Sequence, residues 1–122
     1  MENDEIYREF IIDLYRNPLN KRENKKANYI KRGHNHICGD DITVYLEVRD
    51  GIIKDCSYSG IACALAIASA SIISEELKNK PIEYIQELTE DKIYELIGLQ
   101  KDLNRIKCVK LMINTINEME IK

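Results

Sequence analysis

Three cysteines and one aspartate stand where side chains of their type could act together. Cys38 and Asp40 flank Gly39 in the polar run HNHICGDD, just ahead of a strand-like segment. Cys63 opens an Ala/Ser-rich stretch, and Cys108 falls in the first turn expected of the last helix. All three cysteines therefore sit at ends of elements, where loops can converge. Two sit near expected helix N-termini, where the backbone dipole and free N–H groups favour a thiolate. A thiolate is the form that binds metal or attacks sulfur. Residues i and i+2 of a turned loop can aim at one point, and Gly39 adds backbone freedom. Three thiolates and a carboxylate suit a tetrahedral zinc or a cluster with one labile corner. The carboxylate is the harder, more exchangeable ligand for soft metals. Asp40 could equally cap a turn, as Asp commonly does. Cys56 lies mid-strand, in alternation with Ile52 and Tyr58, and reads as a small buried hydrophobe. His34 and His36 could offer a spare ligand near Cys38, but read better as exposed loop histidines.

The elements that must hold these residues can be drawn from periodicity. Residues 4–16 read as an amphipathic helix, with Ile6, Phe10 and Leu14 on one line and Tyr7, Ile11 and Tyr15 on the next. Asn17-Pro18 stops it. A short strand is expected near 28–32. Residues 42–49 alternate cleanly, Ile42, Val44, Leu46 and Val48 sharing one face. Asp50-Gly51 signals a hairpin, because both residues tolerate positive φ, and 52–58 returns as its second strand. A helix follows over about 62–79, rich in small residues that permit close packing. Short helices are expected near 82–87 and 90–98, the latter capped by Thr89 and stopped at Gly98. The last helix should run from about 105 to 120, with Asn104 as its cap and Ile106, Val109, Ile113 and Ile116 as its apolar stripe. Helix, strands, then helices argues for an α+β fold with a small antiparallel sheet.

Length and composition narrow the class. The chain has 122 residues, which predicts one domain over 1–122. Apolar residues make up 44% and charged residues 32%, an ordinary globular mixture. No apolar run is long enough to span a bilayer, so no membrane partner is expected. The acidic opening MENDEIYREF has no secretory core, so a cytoplasmic location is expected. Four thiols there are expected to stay reduced, and with no CxxC pair a zinc ribbon or thioredoxin-like motif is disfavoured. Residues 21–32 carry six positive charges and one negative on an otherwise acidic chain. That stretch could dock an acidic partner. With only Tyr29 as an aromatic it reads better as a solvated loop, and no nucleic acid is expected.

Four segments, in order along nearly the whole chain, resemble a known family. These are Ile11-Ile12-Asp13-Leu14-Tyr15-x-Asn17-Pro18-x-Asn20, Cys38-Gly39-Asp40 ahead of an Asp-Gly hairpin, Gly60-Ile61-Ala62-Cys63 with its Ala/Ser-rich sequel, and Arg105-Ile106-Lys107-Cys108. Together they resemble the IscU/SufU/NifU N-terminal-domain family of iron–sulfur cluster assembly scaffolds. The resemblance implies a three-stranded antiparallel sheet with helices packed on one face. It implies that Cys38, Asp40, Cys63 and Cys108 meet at one exposed end. It implies a scaffold rather than an enzyme: Cys108 receives sulfur from a cysteine desulfurase, a transient [2Fe–2S] cluster forms, and apo-proteins take it. Zinc would occupy the cluster-free site, and the protein would be a monomer or weak homo-oligomer.

The chain also departs from the family pattern. IscU-type members carry His before the third cysteine and a Leu-Pro-Pro-Val-Lys chaperone motif; here stand Lys107 and Leu103-Asn104-Arg105-Ile106-Lys107. A chaperone partner is therefore doubtful. Arg-Ile-Lys-Cys is more similar to SufU, yet 44 residues between Cys63 and Cys108 match the shorter IscU spacing. Two alternatives stay open. One is a zinc-dependent sulfur acceptor of the SufU type. The other is a binding module using Lys21, Arg22, Lys25 and Lys26 around a purely structural metal.

Overall fold

The computed structural model describes residues 2–101 and 104–121, with side chains from Glu9 onward. The chain forms α1 (Glu2–Arg16), β1 (Tyr29–Asn35), β2 (Asp40–Arg49), β3 (Ile52–Ile61), α2 (Ala64–Leu77), a 3-10 turn (Ile82–Glu87), α3 (Glu90–Ile97), α4 (Ile106–Val109) and α5 (Leu111–Asn117). The strands make one antiparallel sheet in the order β1-β2-β3. This is the α+β arrangement the sequence predicts.

The β2–β3 hairpin turns through Asp50 (φ 53°) and Gly51 (φ 75°), the primed geometry that matches strand twist. Ile42, Val44 and Leu46 point inward and are buried, while Thr43, Tyr45 and Glu47 on the other face are half-buried. Asp40 belongs to the inward set by the same alternation and is 1% exposed. The register shifts between Glu47 and Val48, so that Lys54 is the extra residue of a bulge. Ile53, not Ile52, consequently takes the core position, and the expected Ile52–Cys56–Tyr58 line holds only for Cys56 and Tyr58.

Helix α2 is the central strut. Ala66, Ala68, Ala70, Ser69, Ser71 and Ser74 are all buried along with Ile67, Ile73 and Leu77, because it is packed by α1, α3, α4, α5 and β3. Its serines tie neighbours together. Ser71 Oγ accepts from Leu19 N (3.1 Å) and meets the Tyr58 hydroxyl (2.8 Å). Ser74 Oγ accepts from Asn20 Nδ2 (3.0 Å). Asn20 itself sits at φ 61°, and its carbonyl accepts from Tyr58 N and Arg22 N. The Asn-Pro-x-Asn segment is thus a clasp between α2 and β3. In α1, Phe10 and Tyr15 are exposed and Ile11 and Leu14 half-buried; the Ile6 and Tyr7 side chains lie outside the described residues.

The C-terminal segment differs from expectation. A single helix from 105 is replaced by two short ones that meet at Lys110 (φ −94°, ψ 1°), and Arg105, not Asn104, precedes the first turn. The cause is visible in the burial: Cys108, Val109, Leu111, Met112, Ile113, Thr115 and Ile116 are all buried. One straight helix would spread so many consecutive residues around its axis and expose some of them. The Thr89 cap and the left-handed Gly98 stop of α3 are both present. Two of the six positive charges in 21–32 are held by the protein's own carboxylates, Arg22 by Asp55 and Arg32 by Asp41.

Candidate metal centre

Four separate segments bring Cys38, Asp40, Cys63 and Cys108 to one end of the sheet. Cys38 rides the exposed turn between β1 and β2, which reverses through Gly39 at φ 71°. Asp40 opens β2. Cys63 is the residue just before α2, and Cys108 lies in α4.

The thiols of Cys38 and Cys108 are 3.3 Å apart although the residues are seventy positions apart in sequence. Ligand atoms of Cys38, Asp40 and Cys108 all lie within 4.8 Å of one another. Cys63 approaches through Asp40: its backbone N–H donates to Asp40 Oδ1 at 2.8 Å, and its Sγ lies 3.7 Å from Asp40 Oδ2. Because α2 begins at Ala64 rather than 62, this N–H belongs to the cap position, where no helical carbonyl can accept it. Asp40 therefore anchors α2 and keeps its other oxygen facing the thiols.

The thiols differ in exposure. Cys38 is exposed, Cys63 half-buried and Cys108 buried. Cys108 does not enjoy the free amides expected of a helix start, since its N–H donates to Arg105 O at 3.1 Å. Burial pushes its thiol well above the ordinary range, and the neighbouring Cys38 and Cys63 add to that. A cation among three thiols removes this penalty by favouring the anionic forms. Three thiols and a carboxylate are a donor set for soft or borderline metals, zinc and iron among them.

Cys56 lies apart. It is fully buried in the sheet, and burial pushes its thiol up to about 12, as expected of a structural cysteine. His34 and His36 are exposed and stacked edge-on, with ring centroids 4.3 Å apart; neither joins the ligand group found among the described residues.

The sequence reading missed Asn35. It is 8% exposed, its Nδ2 lies 3.8 Å from Cys108 Sγ, and its Oδ1 accepts from Ile37 N at 3.3 Å. The available signal was parity: Gly33 and Asn35 alternate inward on β1.

Residues 6–119 match the family model described as the NifU-like N terminal domain. The chain belongs to this family. Within the NifU-like N-terminal family, it is 35% identical over 107 residues to an iron–sulfur cluster assembly scaffold protein IscU of Thermotoga maritima, covering 88% of this chain and 75% of that one. It is 30% identical over 125 aligned positions to the zinc-dependent sulfurtransferase SufU of Bacillus subtilis, covering 88% and 84%. The fold matches a crystal structure of a NifU-like N-terminal protein from Brucella abortus with a TM-score of 0.77 at 21% identity, over 95% of this chain and 92% of the other.

Proposed function

We propose that this NifU-like domain is an iron–sulfur cluster assembly scaffold. Cys38, Asp40, Cys63 and Cys108 bind iron and sulfur as cargo, Cys108 accepts sulfur from a cysteine desulfurase, and a [2Fe–2S] cluster passes on to apo-proteins. The observation that carries this reading is the convergence of Cys38, Asp40 and Cys108 within 4.8 Å, with the Cys63 thiol beside Asp40. The relationship to an IscU scaffold supports it.

In the sulfur step, Cys108 as thiolate attacks the outer sulfur of a desulfurase persulfide. A new S–S bond forms on Cys108, the donor's S–S bond breaks, and the donor cysteine leaves as a thiolate that takes up a proton. No net oxidation occurs. Converting that sulfur to sulfide then requires an electron pair from a separate reductant. Asp40 is the ligand suited to exchange, being harder than thiolate. Cys108 lies under the exposed turn carrying Cys38, so the partner must engage that turn. Ile37 in that turn and Ile61, paired with Asp41 at the end of β3, are 76% and 80% exposed. Apolar side chains so placed are what a protein partner covers. No described helix is long and apolar enough to cross a membrane.

The relationship to SufU supports a second reading, a zinc-dependent sulfur acceptor. The same four residues would hold the zinc, which would supply Lewis acidity and keep the thiols anionic.

Anaerobic reconstitution with ferrous iron, cysteine and a cysteine desulfurase decides between them. The scaffold reading expects [2Fe–2S] absorption and Mössbauer signals in wild type, lost in Cys38→Ser, Cys63→Ser and Cys108→Ser. Tightly held zinc without a cluster, together with faster desulfurase turnover, would establish the second reading. Persulfide mapped by mass spectrometry to Cys63 rather than Cys108 would overturn the assigned acceptor.

A further inference from the structure

We propose that Asn35 is a positioning residue that splints Cys38 to Cys108 and donates an N–H to the Cys108 sulfur whenever that sulfur carries negative charge. The inference rests on the scaffold reading only for its purpose, not for its geometry.

Asn35 is the last residue of β1 and faces inward, more than nine-tenths buried. A buried primary amide must satisfy two donors and an acceptor. Its oxygen is fixed by the backbone: Oδ1 accepts from Ile37 N at 3.3 Å, two residues on, the Asx-turn arrangement. With the oxygen engaged there, the NH2 group is left facing Cys108 Sγ at 3.8 Å. One planar group thus touches both sides of the site. Its oxygen shapes the turn that carries Cys38, and its nitrogen meets Cys108, whose sulfur lies 3.3 Å from that of Cys38.

The chemistry gives this contact a consequence. An N–H meeting a neutral thiol is a weak hydrogen bond. The same N–H meeting a thiolate, a persulfide anion or a metal-bound thiolate is charge-assisted and shorter. Cys108 is buried and has two other thiols for neighbours, so an inward-facing donor offsets the loss of water around its anionic states. Asn35 would then favour Cys108 over Cys38 and Cys63 as the place where anionic sulfur accumulates, and would lower the donor strength of its thiolate toward a metal.

Cobalt(II) binding reads this without sulfur delivery or cluster assembly. In Asn35→Ser the hydroxyl can still accept the turn N–H, but no donor reaches Cys108. The thiolate-to-cobalt charge-transfer band should move to longer wavelength, because a thiolate stripped of its hydrogen bond gives up charge more easily. In the Cys108→Ser background the same substitution should leave the spectrum unchanged. An unmoved band in Asn35→Ser, or an equal shift without Cys108, overturns the proposal. Wild-type protein provides a check that needs no Asn35 variant. On zinc loading, the Asn35 side-chain NH2 resonances should move downfield in wild type and stay put in Cys108→Ser; unmoved resonances in wild type refute the contact. Failure to reconstitute a cluster would sink the scaffold reading and leave both of these results standing.

Discussion

The backbone N–H of Cys63 donates to Asp40 Oδ1 at 2.8 Å, so the carboxylate proposed as a metal ligand also anchors the helix that follows Cys63. Two roles in one side chain can be separated by substitution. Asp40→Ala leaves the cap N–H without its acceptor and should cost about 1–3 kcal/mol in chemical denaturation of the apo-protein. Asp40→Asn keeps an oxygen for that N–H and should cost less than half as much. Both should lose zinc to a competing chelator more readily than wild type. Equal destabilisation by the two variants would mean that the capping bond is not what Asp40 contributes to stability.

Cys56 gives a prediction in pH. Its thiol is raised from 9.0 to about 12 by burial and, secondarily, by Asp55. The unfolded chain therefore loses this proton first as pH rises, and the folded state is disfavoured wherever the unfolded thiol is ionised and the folded one is not. The contribution is complete below pH about 9 and declines as pH rises toward 12. The stability difference between wild type and Cys56→Ala should be constant from pH 7 to 8 and shrink above 9. At pH 8, alkylation mapped by mass spectrometry should label Cys38 in the native protein and Cys56 only in denaturant. Native labelling of Cys56 would contradict the burial described above.

Gly33 permits a close approach of β1 to α5. A Cβ placed there would lie 1.9 Å from Thr115 Oγ1, nearer than any real contact. Gly33→Ala should destabilise the protein by about 1–3 kcal/mol through overpacking. Combination with Thr115→Ala should recover part of that loss, seen as a coupling in a double-mutant cycle. Strict additivity of the two substitutions would argue that the clash is relieved elsewhere.

The Asn20 clasp makes a fourth test. Asn20→Ala loses the bonds to Ser74 and Glu75 and keeps a β-carbon at φ 61°. Asn20→Gly loses the same bonds but relieves the backbone. Thermal melts should place Ala below Gly, and both below wild type. Gly at or below Ala would show that the side-chain bonds alone set the stability of the segment.

Much of this architecture was legible because it is local. Alternation over 42–49 gave β2 and its inward face, and Asp50-Gly51 gave the turn, since each depends on neighbours in sequence. The positions of Cys38, Cys63 and Cys108 at element ends followed from the same patterning, and the α+β class from the order of elements. What escaped depends on distant partners. The bulge at Lys54 moves Ile53 into the core, and nothing in residues 52–58 announces it. The break at Lys110 follows from what packs around α4 and α5 rather than from their helical propensity. The Asp40–Cys63 cap joins residues whose pairing only the folded sheet reveals. Asn35 meets a sulfur seventy-three positions away, and no spacing rule connects them.

The contact of Cys38 with Cys108, seventy positions apart, has a thermodynamic side. Any ion or cluster held by both residues acts as a clip on a long chain loop, available to the native state and not to the unfolded one. Occupancy then adds to stability by mass action, about 2.7 kcal/mol when the free ligand stands at one hundred times its dissociation constant. A loaded protein should therefore be harder to unfold and slower to be proteolysed than an emptied one. On the scaffold reading proposed above, handing over the cargo would return the chain to its less stable, emptied state, so its cellular lifetime would itself record how often it has been filled.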